Sequence, residues 1–415
     1  MNGLAMESLP FDPADARAAL DALPRVAAVF ALYGEDAKAE PYIGRTPNLR
    51  GRLERLLQPS AKHPRRLQLA GRVRRIEWRR TGSEFESLLT QFSLLEEIYG
   101  AKALERMHLR APAFIRYLGN NAYPRITVTQ RPSQREADWA YGPFASRAAA
   151  ERFADEALKL FLLRRCTDEL NPDPGFPGCV YSEMKMCLAP CYKGCTDTRY
   201  AEEAGAVRDF LATRGDSQLV VLRGERERAS EALEFEQAAA LHAQVQKVEA
   251  VRALAPEMVQ PMSRLRAVVL QASAEPDEVA VFLFADGRLR GPAKFSTIGM
   301  RIQNEQSGST SLFLQPVAVE AVPEEGAQVA LPKVHRDVLT GRMEAALAEL
   351  AAEPAPNAVE RQGHLALLKR WYYRPEVRRV GEVFFSDAEG AWPVKQMVRG
   401  VGRVAAKALT EGRPE

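Results

Sequence analysis

The chain has 415 residues, of which 46% are hydrophobic and 27% charged, with 57 basic against 54 acidic side chains. That length predicts about two to four compact units and that apolar content excludes wholesale disorder, while 27 glycines and 27 prolines without a repeat exclude a collagen-like chain. With no apolar run of about 18 residues or more, and no basic segment leading into an apolar core at the start, the expectation is a cytoplasmic protein without a membrane partner.

A net charge of +3 says little about partners, but its distribution says more. Between Arg45 and Arg80 eleven arginines and one lysine face two acids. Such a run is either a footprint for a polyanion or a solvated basic face, and by itself it does not choose.

The first twenty residues read as a loose lead-in. Residues 25–32 (RVAAVFAL) predict a buried strand, and Pro41 to Gly44 a second one, paired as a hairpin. Asn48 is placed to cap a helix that carries Leu49, Leu53, Leu56 and Leu57 on one face and Arg50, Arg52 and Arg55 on the other. A third strand is expected over 73–78. Ser83 followed by Glu86 predicts a capping box, and Phe85, Leu88, Leu89, Phe92 and Leu95 follow the spacing of a buried helical stripe.

Further on, the pattern predicts a strand over 125–129, a turn at Tyr141-Gly142-Pro143 and a long helix over 146–163. A helix over 199–212 and a helical hairpin over 217–254 follow, the arms of the hairpin too short and Ala-rich to bury much alone. Alternation returns over 264–295, with Asp286-Gly287 as a type I′ turn. The tail reads as a helix over 338–352, an aromatic-basic stretch from Lys369 to Arg374 and a strand over 382–386, with linkers near 322–326 and 353–359. Lys369 to Arg374 could stack bases between cations, but a helix end packing its aromatics inward is the preferred reading.

The five cysteines, Cys166, Cys179, Cys187, Cys191 and Cys195, lie within thirty residues. In a reducing compartment disulfides are disfavoured, and four thiolates at Cys166, Cys179, Cys187 and Cys191 are enough for an iron–sulfur cluster or for tetrahedral zinc. The spacing does not choose the metal, free core cysteines are the remaining alternative, and Cys195 is a spare ligand. No HExxH or Gly-Lys-Ser/Thr phosphate loop occurs, and Gly400 to Ala405, which mimics a dinucleotide fingerprint, reads as a loop.

Several strings, taken in order, resemble the UvrC/Cho family: Tyr42-Ile43-Gly44-Arg45-Thr46-Pro47-Asn48-Leu49-Arg50-Gly51-Arg52, then Thr81-Gly82-Ser83-Glu84, Tyr123-Pro124-Arg125-Ile126-Thr127, Tyr141-Gly142-Pro143-Phe144 and Cys187-Leu188-Ala189-Pro190-Cys191. Leu233-Glu234-Phe235-Glu236-Gln237-Ala238-Ala239 is similar to a UVR motif. The resemblance covers about residues 20 to 290.

It implies an α/β (α+β) chain divided into a GIY-YIG nuclease-like domain (20–105), a connecting α/β segment (106–165), a cysteine-cluster region (166–198), a UVR-type hairpin (199–256) and a mixed C-terminal region (262–415), partly like the start of an RNase H-like half. The implied function is nucleotide-excision repair, with 3′ incision beside a lesion in complex with DNA and UvrB. The four cysteines would hold an iron–sulfur cluster, with zinc as the alternative. Leu233, Phe235, Ala238 and Leu241 would meet a UvrB-like partner.

The implied nuclease site is degenerate. Tyr42, Arg45 and Arg52 match site positions, but the other tyrosines read Phe30 and Leu56 and the metal-binding glutamate reads Gln91. A neutral amide is a poor ligand for a hard divalent cation, and the lost hydroxyls could have positioned or activated water. The preferred expectation is a domain that grips DNA through Arg45, Arg50, Arg52 and Arg55 without cutting it. The alternatives are an active Cho-like endonuclease using Mg²⁺ or Mn²⁺, with Glu84 or Tyr33 as substitutes, and a zinc-containing nucleic-acid binder outside repair.

Overall fold

The computed structural model describes residues 5–36, 39–58, 69, 71–300, 336–352 and 356–411. Lys62, Arg65 and Arg66 of the basic run and the linker at 322–326 lie outside the described residues.

The first unit runs β1 (Glu7–Pro10), α1 (Ala16–Asp21), β2 (Ala28–Tyr33), β3 (Tyr42–Thr46), α2 (Leu49–Leu57), β4 (Arg75–Arg80), α3 (Glu84–Tyr99) and the short α4 (Ala103–Arg106). Its sheet is antiparallel in the order β1-β4-β2-β3. Alternation along β2 splits the core: Ala28, Phe30 and Leu32 pack with Leu49, Leu53 and Leu56 of α2, while Val29 and Ala31 pack with Leu94 of α3. The lead-in is a correction to the sequence reading. Its β1 pairs with β4, and Phe11, Leu20 and Leu23 are buried, although the stretch is too short and polar to show a period.

Asn48 caps α2 by accepting from the Gly51 N–H. Ser83 caps α3 by accepting from the Glu86 N–H, but the Glu86 carboxylate turns to the Gly82 N–H at 2.8 Å, so the box closes one residue early.

The second unit contains β5 (Ala113–Tyr117), β6 (Ile126–Thr129), β7 (Ala140–Phe144), α5 (Arg147–Ala157), α6 (Val180–Glu183), α7 (Asp197–Ala212), α8 (Asp216–Glu231), α9 (Phe235–Arg252) and β8 (Gln260–Pro261). The sheet order is β6-β5-β7-β8. Here Tyr141-Gly142-Pro143 is a buried central strand and not a turn, its ladder to β5 interrupted by a register shift that accommodates the missing N–H. The helix expected to reach 163 stops at Ala157, and turns then bury Leu158, Phe161 and Leu163. One hydrophobic core runs from Ala113 through the hairpin to Val259, so β8, which follows the hairpin, closes the sheet that begins before the cysteines.

The third unit holds β9 (Ala267–Ala272), β10 (Glu278–Ala285), β11 (Arg288–Ser296), α10 (Arg336–Ala351), α11 (Ala358–Tyr372), β12 (Glu382–Phe385) and α12 (Val394–Glu411). The sheet β11-β10-β9-β12 is antiparallel, and Asp286 and Gly287 both take positive φ, at 54° and 82°, as the type I′ turn requires. One face is covered by α10 and α12, the other by α11 together with α3 of the first unit. Residues 400–405 are not a loop: they lie inside α12, with Val401, Val404 and Ala405 buried against the sheet. Part of the expected linker at 353–359 is helix start, since Asn357 and Glu360 form a full capping box on α11. No helix among the described residues is long and apolar enough to cross a membrane.

Candidate functional site

The hairpin β2–β3 pairs Phe30 with Gly44 and Val29 with Arg45, which fixes where each site residue points. Tyr42 lies on the α2 side, where its hydroxyl accepts from Arg52 Nη2 at 3.3 Å and its ring centroid is 6.1 Å from that of Phe30. Phe30 and Leu56 are core residues of that side, 0% and 5% exposed. Arg45 leaves on the α3 side, where its Nη1 meets Glu84 Oε1 at 3.3 Å. The basic residue and the Tyr42–Arg52 pair are therefore not in direct contact.

Neither substitute for the lost groups is free to act. Glu84 accepts two hydrogen bonds from Arg374, at 2.7 and 2.8 Å, besides that from Arg45. The Arg374 hydrogen bonds hold its pKa down to about 2, against a smaller desolvation effect. Tyr33 faces away from Phe30 and packs with the α3-side cluster under the Arg75 guanidinium, 4.4 Å from the ring centroid. Burial, with Glu77 alongside, raises its pKa. A slip of three residues would bring Tyr33 to the α2 face, but the observed register does not contain it. Glu86 is buried on the Gly82 N–H and its pKa is raised by desolvation. With Gln91 supplying only an amide, these residues do not fit a hard divalent cation.

The arginines of α2 divide. Arg50 turns inward, donating from Nε to the Leu23 carbonyl at 2.7 Å and also to the Asp21 carbonyl, so it ties α2 to the end of α1. Arg55 is exposed, its Nε donating to the Gly51 carbonyl one turn back, and Arg52 is half-buried beside Tyr42.

The cysteines sit on irregular chain. Cys179 precedes α6, Cys191 lies in the helical turn Pro190–Tyr192, and Lys185, Ala189 and Lys193 around them adopt left-handed backbone. All five thiols are free and half-buried. Burial pushes Cys187 up to about 11, opposed by the Ala189 N–H and reinforced by Cys166, Cys191 and Cys179. Cys191 is raised by burial and then by Cys179 and Cys166. The four predicted thiols are thus electrostatic neighbours. Cys195 stands apart: its pKa is raised by burial and Asp197, and its side chain packs on the core of the second unit.

Among the described residues no three His, Cys, Asp or Glu side chains converge to hold a metal ion. The donor set nevertheless has the chemistry of a thiolate-held centre. It offers four soft ligands, all free thiols, and the Ala189 N–H already donates to Cys187 Sγ at 3.3 Å.

In the hairpin, Leu219, Leu222 and Ala229 of α8 and Leu241, Val245, Val248 and Val251 of α9 face inward. Of the four expected partner residues, Leu241 is buried and Ala238 half-buried, whereas Leu233 and Phe235 at the tip are 70% and 67% exposed. Val220 and Val221, which periodicity did not single out, are also exposed on α8. The pairing of Arg374, the last residue of the aromatic-basic stretch, with Glu84 had no sequence signal, because the two are 290 residues apart.

Residues 114–210, from β5 to the end of α7 and including all five cysteines, match the family described as the UvrC/Cho excinuclease, middle domain. Through this domain the chain is similar to the UvrC/Cho family. Similar curated proteins are the UvrABC system protein C of Alcanivorax borkumensis, 30% identical over 51% of this chain and 34% of the relative. That of Ruminiclostridium cellulolyticum is 29% identical over 68% of this chain and 47% of its own length. That of Maricaulis maris is 28% identical over 66% and 43%. The chain thus aligns with between a third and a half of the length of these UvrC relatives. No solved structure matches it.

Proposed function

We infer that this chain is a nucleotide-excision-repair protein of UvrC/Cho type that binds DNA and a UvrB-like partner, and whose GIY-YIG-like unit no longer cuts. The observation that carries the loss of cutting is the packing of Phe30 and Leu56 inside the α2-side core, together with Glu84 held between two arginines. Hydrolysis in this family would need a carboxylate-held divalent cation to activate water, and the residues present leave neither the ligand nor a free base. The test is strand incision of lesion-containing duplex loaded with UvrA and UvrB, in Mg²⁺ or Mn²⁺. No cutting, with retained binding to the loaded duplex, is expected. Metal-dependent cutting 3′ of the lesion that is weakened by Gln91→Ala would overturn the reading.

The tip of the hairpin is the partner surface in this proposal. An apolar tip left in water by a hairpin whose inward-facing stripe is already buried suits a second helical hairpin. Phe235→Glu is expected to abolish capture by UvrB while leaving cooperative unfolding unchanged; undiminished capture would count against the surface.

Cys166, Cys179, Cys187 and Cys191 would hold an iron–sulfur cluster. Their electrostatic influence on one another and the N–H donated to Cys187 Sγ support a cluster, and zinc is the alternative that metal content separates. Anaerobically purified protein should be brown and carry iron, and Cys187→Ser should lose both; colourless protein with stoichiometric zinc would replace the assignment.

A further inference from the structure

Arg374 lies beyond residue 290, where the sequence resemblance ends, and outside the matched residues 114–210. It nevertheless reaches the nuclease-like unit. Its Nη1 and Nη2 engage the two oxygens of Glu84 at 2.8 and 2.7 Å, while Arg45 Nη1 shares Glu84 Oε1 at 3.3 Å. Two guanidinium groups therefore converge on one planar pair of anionic oxygens, the arrangement that also suits the two non-bridging oxygens of a phosphodiester.

The three side chains are 22% (Arg374), 32% (Arg45) and 47% (Glu84) exposed, so a ligand can approach from solvent. The aim of Arg374 is fixed by its neighbours. Trp371 is buried with its ring 5.3 Å from that of Phe85, and Tyr373 is bonded to the Pro143 carbonyl. The site is pre-organised on the C-terminal end of α11 and the N-terminal end of α3.

We propose that Arg45 and Arg374 form a binding site for one backbone phosphate of DNA, and that Glu84 occupies it in the free protein as a displaceable internal anion. The proposal deepens the DNA-binding reading above and rests on it. Glu84 stays ionised at any ordinary pH, so the placeholder is always charged. Glu84 is 47% exposed, so solvent competes for it, and a phosphate that takes its place offers both guanidinium groups an equivalent pair of anionic oxygens while releasing counterions.

The test is equilibrium binding of the full chain to a fluorescent undamaged duplex across a salt series. Glu84→Gln should tighten binding about fivefold to tenfold at low salt and steepen the log–log salt slope by about 1, near the ~0.9 expected for one added phosphate contact. Adding Arg374→Gln to Glu84→Gln should return both to the wild-type values. Arg374→Lys in that background should keep the slope and lose most of the gain, because an ammonium lacks the fork. Glu105→Gln, an exposed position on α4, makes the same charge change elsewhere and should do nothing comparable.

A folded Glu84→Gln variant with unchanged affinity and slope would overturn the site, as would a gain that survives Arg374→Gln. If wild type binds DNA and its slope is shared by every variant, the DNA reading stands and this site falls. If neither wild type nor Glu84→Gln binds DNA, both fall.

Discussion

The Tyr373 hydroxyl donates to the Pro143 carbonyl at 2.8 Å, joining the end of α11 to the central strand of the second unit across 230 residues of sequence. Its neighbours extend the junction. The Tyr372 ring lies 5.9 Å from that of Phe385 in the third sheet, and Arg374 grips Glu84 of the first unit. Three consecutive side chains thus contact three sheet units, and burial raises the pKa of Tyr373 accordingly. Tyr373→Phe should cost about 1 kcal/mol, because the Pro143 carbonyl loses its donor in a half-buried place. Urea unfolding followed by circular dichroism measures it, and a change below a few tenths would mean that water replaces the hydroxyl.

Gly363 is the close-approach glycine of this junction. A Cβ there would stand 2.0 Å from Phe92 Cζ and 2.5 Å from Phe92 Cε2. In a free helix Gly→Ala stabilises by about 0.5–1 kcal/mol, but here overpacking, at about 1–3 kcal/mol, outweighs it. Gly363→Ala should therefore lower the Tm, and a higher Tm would show that α11 and α3 can separate without penalty.

His364 adds a pH-dependent contribution. It is buried, its Nδ1 accepts from the Leu289 N–H at 3.2 Å, and its ring centroid is 5.4 Å from that of Phe92. Burial, helped by Arg288 and Arg290, lowers its pKa to about 3. The native state keeps it neutral while the unfolded chain protonates near its ordinary value of about 6.5, so its stabilising contribution is full above that pH. The contribution falls as pH drops from about 6.5 toward 3, by up to about 1.4 kcal/mol per pH unit. His364→Gln should flatten that part of a denaturation series against pH, and an unchanged slope would locate the acid sensitivity elsewhere.

Restoring a tyrosine at position 30 should not restore a nuclease. Phe30 is fully buried, and Gly44 lies so close that a Cβ there would be 2.7 Å from Phe30 Cζ, where a hydroxyl would have to fit. Phe30→Tyr should cost about 1–3 kcal/mol through a buried, unpartnered hydroxyl. Combined with Gln91→Glu it should still leave lesion-containing duplex intact. Incision by the double variant would mean that only the metal ligand and the hydroxyl were missing.

Much of the fold was legible because it rests on short-range signals. Asn48 and Ser83 mark their helix starts with their own side chains, Asp286-Gly287 marks its turn by backbone preference, and the stripe from Phe85 to Leu95 has a helical period. The elements misread in sequence are those where packing overrides such signals. Tyr141-Gly142-Pro143 has turn composition but is held between β5 and β8, and the glycines at 400 and 402 sit in a helix pinned by Val401 and Val404.

The sequence by itself determined the chemistry on offer: four clustered thiols, an arginine-rich first unit, and Phe30, Leu56 and Gln91 at the positions where the resemblance implies two tyrosines and a glutamate. Those are properties of residue type and spacing, which folding does not change. Only the tertiary structure decided which groups are still available. It turned Arg50 to the Asp21 and Leu23 carbonyls, sent Tyr33 to the far face of the sheet, and closed Arg45 and Arg374 on Glu84. Strand register and the docking of α11 on α3 set those outcomes. Both depend on contacts between residues up to 290 apart, which no local pattern in the sequence encodes.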